Sequence, residues 1–195
     1  FKVVDNKTIR FGLLAIKNVG RGAVESIIQA REKSGRFNSL EDLCQCIDLR
    51  LVNRKVLESL IKCGALDGFG MPRAQLFFLL DKTLEFASRV HREKAKGQMS
   101  FFDQEFSSRN GFKATLNNFT TIKEWPEPQL LAFEKEMLGF YITGHPLARY
   151  AQQLKRFTSS STTNLYQYTD GQEIKIVGLI AKIKQTLTRA KQEKM

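Results

Sequence analysis

Apolar residues recur every three or four positions along most of the chain, the spacing of one face of an α-helix. Two short helices are predicted around a turn at 18–22, a further helix after Ser39, and another between Asn53 as its cap and Gly64 as its stop. A longer helix is predicted after Pro72. Its apolar stripe, expected to be core, consists of Leu76, Leu80, Leu84 and Ala87.

The second half of the chain has a less regular pattern. A helix is predicted to start at 126–128, and a shorter one after the turn at 144–146. His145 lies between glycine and proline in that turn, so a hydrogen bond that fixes the loop explains it better than catalysis. From residue 172 onward isoleucines alternate with lysines, which indicates the first strands of a β-domain. The predicted fold class is therefore mainly α, with a β-hairpin at its end.

The first half of the chain contains an internal repeat. Shifted by 50 residues, AIKNVGRGAVESII aligns with ALDGFGMPRAQLFF, and the apolar positions and the first glycine coincide. The aligned pairs are Ala15 and Ala65, Ile16 and Leu66, Val19 and Phe69, Gly20 and Gly70, Ile27 and Phe77, and Ile28 and Phe78. Two helical hairpins that pack as a pseudo-dimer around a shared core are therefore expected.

The turn of the first hairpin has the features of an anion site. Its two glycines permit positive φ angles and a close approach of a ligand to the backbone. The amides of Gly22, Ala23 and Val24 are expected to be free at a helix N-terminus, where the helix dipole favours an anion. Such a turn holds a DNA phosphate without reading a base, although an ordinary tight helix–helix turn has the same glycine spacing. The predicted DNA contacts are Lys17, Asn18, Gly20, Arg21, Gly22 and Ala23.

The second hairpin is expected to hold phosphate less well than the first. Pro72 replaces the second glycine of the repeat, and proline suits a helix start but removes one amide donor. This hairpin is either a weaker DNA site or mainly the structural partner of the first. Its predicted DNA contacts are Gly68, Gly70 and Arg73.

The distribution of charge favours nucleic acid as a partner. The chain has 195 residues and a net charge of +11. Residues 1–97 contribute +7, residues 98–167 only +1, and residues 168–195 contribute +3. A basic domain favours a polyanion. The nearly neutral middle favours contact with protein instead, so the helices after Trp125 are expected to pack back on the hairpins.

Composition disfavours a membrane protein and a disulfide scaffold. No segment approaches the ~20 apolar residues of a membrane span, and none resembles a signal peptide. Cys44, Cys46 and Cys63 lack CxxC spacing, so buried thiols in a reducing cytoplasm are expected rather than disulfides or a zinc site. His91 is expected to be solvated. The chain begins at Phe1 without a methionine, and we interpret it as part of a longer protein.

An apolar cluster follows the polar end of the long helix. It comprises Gln98, Met99, Ser100, Phe101 and Phe102. The methionine and the two phenylalanines would fill a hydrophobic pocket of a partner protein, with the glutamine setting the register by hydrogen bonds. The alternative is that the phenylalanines fold back on the helices. The stretch up to residue 124 lacks a clear period and is expected to be a mobile connection.

Three motifs carry a family resemblance. They are IRFGLLAIKNVG at 9–20, LVNRKVLESLIKCGALDGFG followed by RAQL at 51–76, and EKEMLGFYITGHPL at 134–147. Together they resemble the alpha subunits of bacterial DNA polymerase III, the replicative C-family polymerases. The resemblance implies the end of the fingers at 1–10, a tandem helix-hairpin-helix domain on duplex DNA at 11–97, a clamp-binding peptide and linker at 98–124, helices that pack back at 125–171, and the incomplete start of an OB-fold at 172–195.

The resemblance also implies partners and the absence of catalysis. Gln98, Ser100 and Phe102 match the family's clamp peptide, whereas Met99 and Phe101 stand where leucines are usual. The implied partners are therefore double-stranded DNA, the sliding clamp and other replicase subunits. The family's catalytic aspartates lie upstream of this region, so no catalytic residue, metal ligand or cofactor is expected here. The parent polymerase is expected to use Mg²⁺.

Two alternatives stay open from the sequence. The first is the helix-hairpin-helix domain of a DNA repair enzyme, for which Asp67, next to the second hairpin, is the candidate catalytic carboxylate. The second is a structural interaction domain whose basic faces are only solvated. All of these interpretations place the chain in the cytoplasm, without a membrane partner.

Overall fold

The computed structural model describes residues 1–95, 122–180 and 183, and this part is mainly helical. The predicted clamp peptide at 98–102 lies outside these residues. The described helices are α1 (Arg21–Ser34), α2 (Leu40–Cys46), α3 (Arg54–Lys62), α4 (Arg73–Ala95), α5 (Glu127–Leu138) and α6 (Ala151–Phe157). Short 3₁₀ helices cover Leu13–Ala15, Asp67–Phe69, Ala148–Tyr150 and Thr162–Gln167. The predicted mainly α fold class is confirmed.

Local sequence signals set the helix boundaries. Ser39 Oγ accepts a hydrogen bond from the Asp42 amide at 3.1 Å, and Asn53 Oδ1 accepts one from the Val56 amide at 3.1 Å. Each cap satisfies an amide that has no partner within its own helix. Gly64, with a φ of 80°, follows α3. The predicted starts of α2 and α3 and the stop after α3 are confirmed.

The chain divides into two compact units, residues 1–143 and residues 144–195. In the first unit α2 and α3 both pack against α4. Their buried side chains include Leu40, Leu57, Leu60, Ile61 and Leu79. The stripe predicted on α4 belongs to this core, since Leu76, Leu80 and Ala87 are at most 1% exposed and Leu84 packs against the same cluster.

Helix α5 packs on the hairpins, as the neutral charge of the middle segment predicts, whereas the same expectation for α6, which lies in the second unit, stays a prediction. Helix α5 lies against α3, and the carbonyl oxygen of its buried Met137 accepts a hydrogen bond from the Lys17 amide at 2.9 Å. The indole of Trp125 packs edge-on between Phe77 and Phe133, with ring centroids 5.6 and 4.8 Å away. These contacts anchor the segment that precedes α5 to the start of α4.

An antiparallel hairpin, which the sequence pattern does not predict, occupies the first ten residues. Strand β1 (Lys2–Asp5) pairs with β2 (Thr8–Arg10), and Val3 lies opposite Ile9. The Lys7 amide donates to Asp5 Oδ1 at 2.8 Å, which closes the two-residue connection. Both strands are exposed, so no buried face marks them in the sequence.

The second unit is described over 144–180 and at 183. The His145 Nδ1 accepts a hydrogen bond from the Leu147 amide at 3.2 Å, which confirms the predicted role of His145 in fixing the loop. The Lys175 amide donates to Ser159 Oγ at 2.8 Å. Residues 172–180 have neither helix nor strand assigned, and all but one of the remaining residues of the predicted OB-fold start lie outside the described part. That β-hairpin stays a prediction.

The expectation that His91 is a solvated residue is wrong. Its ring is half-buried, and Nε2 lies 3.2 Å from the carbonyl oxygen of Cys44 on α2. This contact joins the far part of α4 to α2, so His91 is not simply a solvated residue. Cys44 and Cys63 are buried free thiols, as predicted, whereas Cys46 is only half-buried. In the described part, no helix combines the length and the apolar character needed to cross a bilayer.

Truncation of Leu57 to alanine tests the shared core. Leu57 is completely buried in α3, so Leu57→Ala is expected to lower the free energy of unfolding by about 3 kcal/mol through lost burial and the cavity left behind. Urea unfolding, followed through the fluorescence of the single tryptophan, Trp125, measures this change. The matched control is Leu14→Ala, because Leu14 is 54% exposed, and a change of about 0.5 kcal/mol is expected there. Equal effects of the two changes would contradict the assigned core.

Candidate nucleic-acid interface

The first hairpin turns through Asn18 rather than through its glycines. Asn18 is the non-glycine residue with a positive φ, 67°, in the described part. Its side-chain nitrogen donates to Ser59 Oγ on α3 at 3.1 Å, which holds the left-handed conformation that asparagine tolerates. Gly20 has an ordinary φ of −86°. The expectation that Gly20 and Gly22 supply positive φ is therefore wrong.

The glycines of this turn leave space for a ligand. A Cβ atom added at Gly20 would meet nothing within 4 Å, and one at Gly22 would only touch Leu51 at 3.6 Å. Gly20 is exposed on the surface. A phosphate can therefore come close to the backbone here without displacing another group, which is the second reason for glycine that the sequence analysis gave.

The N-terminus of α1 has no side-chain cap from the described residues and no acidic residue in its first turn. The Val24 amide donates to the Gly20 carbonyl at 3.2 Å, so this amide is not free as expected. The amides that precede this first intrahelical bond are those of Arg21, Gly22 and Ala23. They carry the positive end of the helix dipole at an uncapped surface turn.

The two cations of the first turn differ in their partners. Lys17 Nζ lies 3.1 Å from Glu136 Oε1 on α5, and both side chains are about half exposed. Arg21 is exposed and takes part in no ion pair between described residues. Arg21 is therefore the positive charge that the first turn offers to solvent, while Lys17 shares its charge with Glu136.

The second hairpin has a different arrangement. A 3₁₀ turn, Asp67–Phe69, ends at Gly70, whose φ of 73° is one that glycine adopts without strain. Arg73 starts α4 but is only 5% exposed. Its guanidinium lies 2.7 Å from Asp67 Oδ2 and 3.0 Å from Glu134 Oε1. Arg73 is therefore part of the core, which corrects the prediction that it contacts DNA.

The start of α4 is also occupied by a carboxylate. The Arg73 amide donates to Glu124 Oε2 at 2.7 Å, and the Ala74 amide donates to Glu124 Oε1 at 3.0 Å. The Trp125 amide donates to the same Oε1 at 2.8 Å. Sequence reasoning missed this contact because Glu124 lies about 50 positions from its partners, and no local signal links them.

Glu134 is the second ion-pair partner of Arg73. Its side chain is fully buried, and Oε2 accepts hydrogen bonds from the amides of Ile142 and Thr143 at 2.8 and 3.0 Å. A Cβ atom at Gly64 would overlap the Arg73 guanidinium, so this position after α3 requires glycine for two reasons, its φ of 80° and this contact. The network connects α3, α4 and α5.

Burial and hydrogen bonding shift the pKa values of Glu134 and Glu124 in opposite directions. Burial alone would raise the pKa of Glu134, but the amides of Ile142 and Thr143, together with Arg73, outweigh it and leave that pKa lowered. Glu124 behaves in the same way, because the amides of Ala74, Trp125 and Arg73 overcome the effect of its desolvation and lower its pKa. Both groups are therefore carboxylates at neutral pH.

The predicted site residues separate into three groups. The six residues of the first hairpin lie close together in sequence, but only Lys17, Asn18, Gly20 and Arg21 are exposed. Gly22 is half-buried, and the Ala23 side chain belongs to the core, so only its backbone amide is a candidate contact. Gly68 and Gly70 are exposed at the second turn, while Arg73 lies in the core. The five residues at 98–102 lie outside the described part. Among described residues, no three histidine, cysteine or acidic side chains are placed to hold a metal ion.

The lowered pKa of Glu134 predicts acid sensitivity of the first unit. In the unfolded chain the pKa of Glu134 is near its ordinary value of 4.5, so as pH falls this carboxyl is protonated in the unfolded state before it is protonated in the folded state. The contribution of the Glu134 carboxylate to the free energy of unfolding is therefore complete above the pKa of the unfolded state. It is lost as pH drops through the lower pKa of the folded state. At neutral pH, Glu134→Gln is expected to cost about 3 kcal/mol, because it removes the buried negative charge that pairs with the Arg73 guanidinium.

Urea unfolding at a series of pH values from neutral to acidic measures this effect. The stability of Glu134→Gln is expected to depend less on pH than that of the unchanged chain, and the two should converge in acid. Glu136→Gln removes the same charge from an exposed pair, and a change of at most about 1 kcal/mol is expected. If Glu134→Gln kept the full pH dependence, Glu134 would not be the group responsible.

The chain is similar in sequence to a known motif family and to several named proteins. Residues 1–76 match the helix-hairpin-helix motif family. The chain is 38% identical to the DNA polymerase III subunit alpha of Vibrio cholerae over 180 residues, 92% of this chain and 15% of the relative. The same subunit of Borreliella burgdorferi is 35% identical over 195 residues, 100% of this chain and 17% of the relative. That of Escherichia coli K12 is 34% identical over 190 residues, 97% of this chain and 16% of the relative.

The matched relatives are thus several times longer than this chain, which spans about a sixth of their length. The similarity covers both hairpins, the return helix and the second unit. It agrees with the motifs at 9–20, 51–76 and 134–147 that carry the resemblance in the sequence. Over nearly its whole length the chain is therefore homologous to one segment of DNA polymerase III alpha subunits.

Proposed function

We propose that this chain binds the backbone of duplex DNA through its first hairpin, as part of a replicative DNA polymerase. The observation that carries the proposal is the uncapped N-terminus of α1, with its three amides before the first intrahelical bond and Arg21 beside them. Gly20 leaves room for a phosphate at this point. The match of residues 1–76 to the helix-hairpin-helix family supports the same conclusion.

The chemistry of this turn suits contact with DNA that does not depend on base sequence. Backbone amides and a helix dipole recognise a phosphate by charge and hydrogen bonds, and they carry no pattern that would distinguish bases. A replicative polymerase must hold every sequence that it copies. A backbone contact of this kind meets that requirement and makes binding strongly dependent on salt, because each bound phosphate releases counterions.

The role of Asp67 argues against the DNA repair alternative. In that alternative, Asp67 is the catalytic carboxylate next to the second hairpin. Both of its side-chain oxygens instead accept hydrogen bonds from the Arg73 guanidinium, at 2.8 and 2.7 Å. A carboxylate held in this way supports the second hairpin. We therefore assign Asp67 a structural role and prefer the polymerase proposal.

Two finer parts of the proposal rest on the sequence. Residues 98–102 tether the chain to the sliding clamp, with the two phenylalanines as apolar anchors. In this proposal the chain holds DNA and the clamp, in company with other replicase subunits. Nucleotide transfer, with the Mg²⁺ that it requires, belongs to other parts of the whole polymerase.

Replacement of Arg21 by alanine tests the DNA contact. Arg21→Ala is expected to weaken duplex binding and to reduce the slope of log K against log salt by about 0.9, the value for one lost phosphate contact. Fluorescence anisotropy with a labelled duplex, repeated at several salt concentrations, measures both quantities. The loss should be the same for duplexes of unrelated sequence, because the contact reads no base.

Arg92→Ala is the matched control for this experiment. Arg92 is an exposed arginine near the other end of α4, where its Nε donates to the Ser88 carbonyl at 3.2 Å. Arg92→Ala removes the same charge from a residue that belongs to neither hairpin turn, so a smaller change in slope is expected. An equal effect of the two variants would mean that DNA senses only the net charge, and the first hairpin would then be structural.

Replacement of Phe101 and Phe102 by alanine tests the clamp tether. The double variant is expected to lose binding to the sliding clamp of the same species, since both anchors are removed, while its duplex binding stays unchanged. Surface plasmon resonance with immobilised clamp measures the first property, and anisotropy measures the second. If the variant bound the clamp as well as the unchanged chain does, the phenylalanines would belong to the fold.

A further inference from the structure

The internal repeat gives the chain two helix N-termini of related origin. Gly20 precedes α1 and Gly70 precedes α4, and these glycines occupy the same place in the repeat. Helix α1 begins directly after its glycine, whereas Met71 and Pro72 separate Gly70 from the start of α4. Each start presents backbone amides and the positive end of a helix dipole. The chemistry of both termini is therefore that of an anion site.

The two termini differ in what occupies them. At α1 no side chain from the described residues caps the helix. At α4 the two oxygens of Glu124 accept hydrogen bonds from two successive amides, those of Arg73 and Ala74, at 2.7 and 3.0 Å. A phosphate bound at a helix N-terminus is held by the same kind of amide pair with two of its oxygens. The carboxylate thus supplies the charge and the geometry of a bound phosphate.

Further contacts hold Glu124 in this place. The Trp125 amide donates to Glu124 Oε1 at 2.8 Å, and the Trp125 ring packs edge-on against Phe77 of α4 and Phe133 of α5. The Glu124 residue is nevertheless exposed to solvent. The position that it fills is therefore at the surface, within reach of a DNA backbone if the carboxylate were absent.

We propose that Glu124 fills the phosphate position of the second hairpin from within the chain, so that DNA contacts the first hairpin alone. The inference rests on the proposed DNA binding of the first hairpin and adds the residue that limits binding to it. Pro72 removes one amide donor from the second turn, but the amides of Arg73 and Ala74 remain, and Glu124 takes both. The second hairpin acts as the structural partner of the first.

Amide chemical shifts of the isotope-labelled 195-residue chain, recorded during titration with a duplex, test this directly. The amides of Arg21, Gly22 and Ala23 are expected to shift, while those of Arg73 and Ala74 should not. Shifts at Arg73 and Ala74 as large as those of the first hairpin would overturn the inference. An absence of shifts at the first hairpin would instead contradict the proposed DNA binding, so the two failures are distinguishable.

Glu124→Ala tests whether the filled position is suited to phosphate. The Arg73 and Ala74 amides of this variant are expected to respond to the duplex, and the slope of log K against log salt should steepen by about 0.9 for one added phosphate contact. Glu127→Ala is the matched control, because Glu127 is an exposed acid three residues later at the start of α5. Glu127→Ala removes the same charge, and the chemical shifts of the Arg73 and Ala74 amides should not change when the duplex is added to it.

The proposal would be overturned if Glu124→Ala and Glu127→Ala had equal salt slopes and the duplex shifted neither the Arg73 nor the Ala74 amide. Glu124 would then be only a helix cap. Trp125 fluorescence in urea checks that each variant is folded. If Glu124→Ala were unfolded, Glu124→Gln would replace it, because the amide keeps the size and one acceptor oxygen of the side chain but removes its charge. The same response to duplex, at smaller amplitude, is expected there, and the absence of any response would again count against the proposal.

Discussion

The buried guanidinium of Arg73 is the constraint on which the first unit depends. A charge removed from water must be paired, because its desolvation is not otherwise compensated. Asp67 supplies one partner from the second turn and Glu134 the other from α5. Satisfying one side chain therefore fixes the position of the second turn, the start of α4 and the return helix relative to one another. Gly64 is part of the same solution, since a larger residue would overlap the guanidinium.

This constraint gives the two related hairpins different uses. The arginine at the start of α4 points into the core, and the amides of the same turn are taken by Glu124. At the start of α1 the first residue of the helix, Arg21, is exposed, and the helix has no side-chain cap from the described residues. One hairpin thus contributes to the stability of the domain, and the other keeps an uncapped helix N-terminus at the surface. A duplicated motif can diverge in this way when one copy becomes the support of the other.

The arrangement suits a protein that must grip DNA without regard to sequence. Backbone amides provide hydrogen bonds in a fixed direction, and the conformation that aims them is set by Asn18, which Ser59 of α3 holds in place. The ion pair between Lys17 and Glu136, like the backbone bond from Lys17 to Met137, ties this turn to α5. The surface turn is therefore supported by the same return helix that pairs with Arg73.

The sequence by itself determined the features that depend on near neighbours. Helix caps at Ser39 and Asn53, the stop at Gly64 and the buried stripe of α4 were predictable because their signals lie within a few residues of the element they control. The family was predictable because its motifs are continuous stretches of sequence. The return of α5 followed from the charge of its segment, although its contacts did not.

Only the tertiary structure decided how the predicted site is divided. Arg73 has the sequence context of a DNA contact, yet Glu134, which lies 61 positions away, makes it a core residue. Glu124 closes the second hairpin from a similar distance, and Asn18 rather than a glycine takes the positive φ because Ser59, 41 positions on, accepts its hydrogen bond. Each of these outcomes depends on a partner brought close by folding. Local pattern shows which residues could bind an anion, but the fold decides which of them remain free to do so.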